Sequence, residues 1–330
     1  MGGRYNWLER LLHEMVLGSA AFRRMCLQFE LKDDRAEIGN GEHVFISGLP
    51  RSGSTILLNS IYESGQFASL TYADMPFVLA PLTWRRISRL LPEFVRNKQE
   101  RLHGDSITID IESAEAFEAV FWKTASDKVV SNSSDPLFAC YVNAILIRYN
   151  KDRYLSKNNL NAENLKQILE TFPNAIALIP FREPGAQAAS LLDQHLRFLE
   201  IDQSDKFVAR YMELIGHKDF GPNYLSRLDS LEDSFQDDRI EHWLERWFRT
   251  YSAYLKVAQL NKNVAFVSYD KLCDDGNYQN QIAKHIGVPA TLFSKFEKSS
   301  RNGVDIESDA LDKRLSELYF QMLEISGSDH

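Results

Sequence analysis

The chain alternates short, wholly apolar runs with longer stretches whose apolar residues recur every three or four positions. The runs at 44–46, 175–179 and 264–269 lack the polar alternation of a half-exposed sheet, as strands covered on both faces do. Two further stretches, 67–72 and 154–159, predict a strand ending at 73–76 and a strand followed by a loop. Between them, helical spacing predicts helices over 54–64 (stopped at Gly65), 163–171 (stopped near Pro173), 186–198 (with Pro184 suited to a first turn), 240–258, 277–287 and 309–324. Trp7, Leu8, Leu11, Leu12, Met15 and Val16 predict an amphipathic helix within the first 22 residues, and 25–42 a connection ending in the charged run at 32–35. Strands separated by helices predict an α/β fold of three layers, α/β/α, around a central parallel sheet with the 44–46 strand in its middle. Residues 77–153 read as helical without a strand-loop-helix unit, either an insertion or lid that shapes an acceptor pocket or helices that only cover the sheet.

The most informative stretch joins the 44–46 run to the next helix through Ser47-Gly48-Leu49-Pro50-Arg51-Ser52-Gly53-Ser54-Thr55. Strand, glycine loop and helix form a phosphate cradle, because loop amides and the unpaired amides at the helix start point at one spot. The frame is close to that of P-loop nucleoside triphosphatases, but Ser54 stands where that motif carries its lysine, and Arg51 is the nearest fixed cation. An oxyanion is expected there, with ordinary ATP chemistry disfavoured. Asp74 follows the second strand, which directs it toward the same crevice. Arg182 ends the 175–179 strand segment and Ser190 falls in about the second turn of the following helix, a pair suited to a second phosphate.

Composition narrows the picture. With 38 Lys and Arg against 46 Asp and Glu, the net charge of −8 excludes a broad basic surface for nucleic acid, so any anion site is local. Cys26, Cys140 and Cys273 are odd in number and widely spaced, which suits a reducing compartment and neither a disulfide framework nor a metal cluster. No run approaches membrane-spanning length, and the expectation is a single cytoplasmic domain with 1–42 as its N-terminal helical segment and no membrane partner.

Taken together, Pro50-Arg51-Ser52-Gly53-Ser54-Thr55 and the Arg182/Ser190 pair resemble the sulfotransferase superfamily. Phe172-Pro173-Asn174-Ala175 is similar to a lead-in seen in many bacterial members and in tyrosylprotein and carbohydrate sulfotransferases, and Tyr269-Asp270-Lys271-Leu272 to their Y-E-x-L segment. The resemblance implies 3′-phosphoadenosine 5′-phosphosulfate (PAPS) as donor and 3′-phosphoadenosine 5′-phosphate (PAP) as product, with no metal. It implies that Arg51, Ser52, Gly53, Ser54 and Thr55 hold the 5′-phosphosulfate and that Arg182 and Ser190 hold the 3′-phosphate. Tyr269 would line the nucleotide site, and Arg301-Asn302-Gly303 is similar to a loop that closes on the 3′-phosphate. Asp74 is the first candidate for the base that accepts the acceptor's proton, His103 the second, and Lys157 the candidate for neutralising developing charge. Glu115 and Glu118, at i, i+3, read as solvated or capping. The acceptor would be a hydroxyl or amine of a small molecule, glycan or peptide. Two other functions remain open at this point: a kinase or nucleotidase using Mg-ATP with Asp270 on the metal, and a non-catalytic nucleotide-binding module.

Overall fold

The computed structural model describes residues 7–31, 41–88, 114–115, 117–126, 136–159, 161–204, 206–224, 237–293, 296–297 and 309–327. The apolar runs become five parallel strands, β1 (Val44–Ile46), β2 (Phe67–Ala68), β3 (Arg153–Lys157), β4 (Ile176–Phe181) and β5 (Val264–Ser268), in the order β2-β3-β1-β4-β5. β1 is central: Phe45 lies opposite Ser156 on one side and Ala177 on the other.

The helices, in chain order, are α1 (Trp7–Gly18), α2 (Ala20–Glu30), α3 (Ser54–Tyr62), α4 (Pro81–Ser88), α5 (Glu118–Ser126), α6 (Pro136–Tyr149), α7 (Asn161–Thr171), α8 (Pro184–Ser204), α9 (Lys206–Leu214), α10 (Ile240–Leu260), α11 (Tyr269–Asp274), α12 (Gly276–Ile286) and α13 (Asp309–Ser326). Strand side chains alternate between faces, so each face heads its own core. Val44, Ile46, Leu155, Leu178 and Val267 meet Leu57, Leu58 and Ile61 of α3 and Leu272, Ile282 and Ile286 of α11 and α12. Phe45, Tyr154, Ala177, Ile179 and Phe266 meet α6, α7, α8, α10 and α13 on the opposite face. The result is the three-layer P-loop NTPase-like architecture that the sequence predicts. Among the described residues, no helix is long and apolar enough to cross a membrane.

Topology places the crevice. From β1 the chain runs through α3, on one face, to the edge strand β2, whereas from β3 it crosses β1 through α7, on the other face, to β4. Connections that leave in opposite directions open a cleft beyond the carboxyl end of β1, and the phosphate loop occupies that point.

Three expectations about elements are corrected. The N-terminal helix is two helices, because Ser19 breaks the run and its side chain accepts from Phe22 N as the cap of α2, which takes in the start of the expected 25–42 connection as far as Glu30. β2 spans two residues, since Thr71 leaves the sheet to cap a 3₁₀ turn at Tyr72–Asp74. α8 begins at Pro184, because Glu183 accepts from Gly185 N and Ala186 N and supplies the cap. The described part of 77–153 packs α6 on the sheet through Phe138, Tyr141, Val142 and Ile145, with α4 against α6.

His43 precedes β1, and its Nδ1 accepts from Tyr154 N at 3.0 Å while the ring meets Phe172 edge-on at 4.8 Å. Burial, with a smaller contribution from Arg153, lowers its pKa from 6.5 to about 4. Below pH 6.5 the unfolded chain takes up a proton that the folded one refuses, so this stability is full above 6.5 and is lost as the pH falls toward 4. The loss amounts to about 3 kcal/mol across that interval. Urea unfolding of wild type and His43→Gln between pH 7 and 4 checks this: the substitution should flatten the decline.

Candidate functional site

The phosphate loop is built from strained and close-packed backbone. Gly48 has φ 156° and Gly53 φ 86°, and a Cβ on Gly53 would lie 2.2 Å from the Tyr269 ring. Arg51 is itself left-handed, with φ 65°, a conformation that costs a non-glycine residue about 1 kcal/mol. The turn brings Arg51 Nε to donate to Ser190 Oγ at 3.0 Å, and Arg182 Nη1 to donate to the Arg51 carbonyl at 3.4 Å. The two motif arms, 131 residues apart in sequence at Arg51 and Arg182, therefore meet in one crevice.

The start of α3 carries no side-chain cap, which leaves its first amides directed at the loop. Among the described residues, Arg182 Nε is buried without a hydrogen-bond partner. Buried donors left in this state are what a bound oxyanion satisfies. The Arg182 guanidinium stands 5.2 Å from the centre of the Tyr269 ring, whose hydroxyl donates to the Glu297 carbonyl. Lys157, at the end of β3, is 8% exposed and donates to Thr55 Oγ1 at 3.3 Å. Arg51, Ser52, Gly53, Ser54, Thr55, Lys157, Arg182, Ser190 and Tyr269 are thus brought together. His103 and Arg301 lie outside the described residues.

A residue that sequence reasoning missed supports the loop from beneath. Gln187 is fully buried; its Nε2 donates to the Pro50 carbonyl at 3.1 Å, and its Oε1 accepts from Trp247 Nε1 and Arg182 N. Tyr251 OH donates to the Pro180 carbonyl at 2.8 Å, and Tyr254 OH shares a hydrogen bond with Ser47 Oγ. The aromatic stripe of α10 is core, as its spacing suggests, but its polar ends also fix the loop. The only sequence signal for Gln187 is its place between Arg182 and Ser190.

Residues 43–291 match the model of the sulfotransferase family. The chain belongs to that family. Among solved structures it is similar to the sulfotransferase STF9 from Mycobacterium avium, with TM-score 0.51 and 12% identity over 98% of this chain and 87% of that one. It is also similar to the sulfotransferase STF1 from Mycobacterium tuberculosis H37Rv, with TM-score 0.52 and 12% identity over 94% and 87%. At that identity the two share a fold with this chain. Comparison with curated proteins gives no match.

The acidic candidates of this sulfotransferase have other occupations. Asp74 is 0% exposed; its Oδ2 accepts from Thr71 N at 3.0 Å and Tyr149 OH at 2.5 Å, and its Oδ1 lies 3.5 Å from Arg148 Nε. It closes the capping box of the 3₁₀ turn and anchors that turn to the end of α6. Glu118 corrects the solvated reading: it is 1% exposed, accepts from Trp122 Nε1 and Tyr154 OH, and burial raises its pKa. Glu115 is half-buried and accepts from Tyr72 OH. Asp270 accepts from Glu183 N and Tyr319 OH, each at 3.4 Å, and ties α11 to α8 and α13.

Proposed function

We propose that the chain moves a sulfuryl group from PAPS to a hydroxyl or amine of a small-molecule, glycan or peptide acceptor and releases PAP. The observation that carries this reading is the contact of Arg51 with Ser190 and Arg182, which gathers the residues suited to a 5′-phosphosulfate and a 3′-phosphate around one pair of side chains. The buried, unpartnered Arg182 Nε fits a polyanionic nucleotide.

In the transfer, the acceptor oxygen or nitrogen forms a bond to sulfur in line with the breaking bond between sulfur and the bridging 5′-phosphate oxygen. Negative charge grows on that oxygen while the acceptor loses its proton, and positioned cations and amides stabilise it. Arg51 and the amides at the start of α3 face the leaving phosphate, and Lys157 beside Thr55 is placed for the sulfuryl oxygens. Arg182, Ser190 and Tyr269 hold the 3′-phosphate side. A sulfuryl group carries less charge than a γ-phosphoryl, so protein cations serve where a kinase uses Mg²⁺. Asp74 is proposed as the support of its turn rather than the base, since its carboxylate is buried and already bonded.

Incubation with ³⁵S-labelled PAPS in excess EDTA tests the reading. PAP should be released and label should leave the nucleotide, to a matched acceptor or slowly to water. No PAP release under these conditions, with ATP consumed in a parallel incubation that contains Mg²⁺ and no EDTA, would overturn it.

A further inference from the structure

Lys157 reaches Thr55 from the last residue of β3, where Asn158 N still donates to the Ile46 carbonyl at 3.0 Å and the chain turns into α7 at Asn161, and a second element fastens this corner by side chains. The segment after α9 does so. Asp219 Oδ2 accepts from Asn159 Nδ2 at 2.9 Å, two residues beyond Lys157. Asp219 Oδ1 lies 3.3 Å from Arg246 Nη2, and Arg246 Nη1 donates to the Asp219 carbonyl at 3.3 Å. The pair is largely withdrawn from water, with side chains 9% and 13% exposed. The Arg246 guanidinium is fixed in turn over the rings of Tyr224 and Trp243, at 5.0 and 5.3 Å. Just beyond Asp219, Gly221 N donates to His195 Nδ1 of α8 at 3.2 Å, which pins the 3₁₀ turn that follows.

The neighbours of this carboxylate are cationic or titrate to cations: His217, Arg246 and, from β3, Lys157. They lower its pKa against the opposing cost of burial, so Asp219 carries a negative charge at neutral pH. One buried anion thus faces the strand end that carries Lys157, the helix α10 that supports the phosphate loop, and the 206–224 segment. None of the motifs that mark the family includes it.

We propose that Asp219 is a positioning residue for sulfuryl transfer: through Asn159 and its charge it holds the end of β3 so that Lys157 stays directed at the Thr55 side of the crevice. This rests on the sulfotransferase reading above. Asp219 has no part in gripping the nucleotide on this account, so its loss should act on turnover and spare PAP affinity. Its effect should also vanish once Lys157 is gone, which a purely structural role would not produce.

The test uses the full chain, PAPS and water as acceptor. Water oxygen bonds to sulfur, the bond from sulfur to the 5′-phosphate oxygen breaks, and sulfate, PAP and a proton are released. Single-turnover PAP release is measured for wild type, Asp219→Asn, Lys157→Ala and the double variant, with PAP affinity by calorimetry. The expected result is a fall of about tenfold or more in rate for Asp219→Asn, PAP affinity within about twofold of wild type, and no further fall when Asp219→Asn is added to Lys157→Ala. Asn159→Ala, which keeps both charges and cuts only the tether, should slow turnover in the same direction and covers the case in which Asp219→Asn does not fold. Unchanged turnover in a folded variant, or full additivity with Lys157→Ala, would overturn the proposal. If wild type releases no PAP, the sulfotransferase reading fails first, and the proposal fails with it.

Discussion

Arg51→Ala should weaken PAP binding roughly a hundredfold, the equivalent of about 3 kcal/mol for a charge-assisted contact to phosphate at a buried site. Turnover of PAPS should fall further, because the lost guanidinium faces the oxygen on which charge grows during transfer. Arg51→Gly separates binding from folding. The wild-type residue is held at φ 65°, which glycine adopts without the penalty of about 1 kcal/mol. The glycine variant should therefore lose PAP affinity as fully as the alanine variant while its thermal unfolding stays at or above the wild-type temperature. Calorimetric titration and a melting curve read the two effects. An Arg51→Gly protein that binds PAP normally would remove Arg51 from the site.

Gly53→Ala should damage both stability and binding. Its φ of 86° is left-handed, and the added methyl would stand 2.2 Å from Tyr269 Cδ2, where the ring is backed by Phe296 and tied through its hydroxyl to Glu297. Conformational strain of about 1–2 kcal/mol and overpacking of about 1–3 kcal/mol together predict a destabilisation of about 2–5 kcal/mol. The ring cannot yield without moving off Arg182, whose guanidinium it underlies, so PAP affinity should fall as well. Tyr269→Ala in the Gly53→Ala background should recover the overpacking part of the stability and leave the φ part. Denaturant unfolding of Gly53→Ala, Tyr269→Ala and the double variant checks this; full recovery would show that backbone strain contributes nothing.

What could be read from the sequence was what is local. The apolar run of β1, the glycines of the loop and the apolar spacing of α3 lie within twenty residues of each other, and the structure assembles them as their pattern dictates. The central place of β1 was expected, but lack of polar alternation does not by itself mark it, since β5 shares that pattern at the edge of the sheet. Side-chain capping was less visible: Ser19, Thr71 and Glu183 each end or start an element by a hydrogen bond that hydrophobic periodicity does not register. Partners distant in sequence were invisible. Glu118 looked solvated on its own helix, and is buried because Tyr154 of β3 folds over it. Asp74 stood at a strand end in sequence, yet Tyr149 and Arg148 of α6, 75 and 74 residues later, occupy its carboxylate. Gln187 and Asp219 make their contacts with Pro50, Arg182, Trp247, Asn159 and Arg246, and no motif spacing announces them.

Recognition of a nucleotide by both of its phosphates in one crevice is tested by calorimetry with PAP and with adenosine 5′-phosphate on wild type and Arg182→Ala, in EDTA. Wild type should prefer PAP by about a hundredfold, and Arg182→Ala should reduce the preference to less than about tenfold, since the 3′-phosphate has lost its cation. Equal affinity of wild type for the two nucleotides, or tighter binding of ATP than of either in a separate titration with Mg²⁺ and no EDTA, would rule it out.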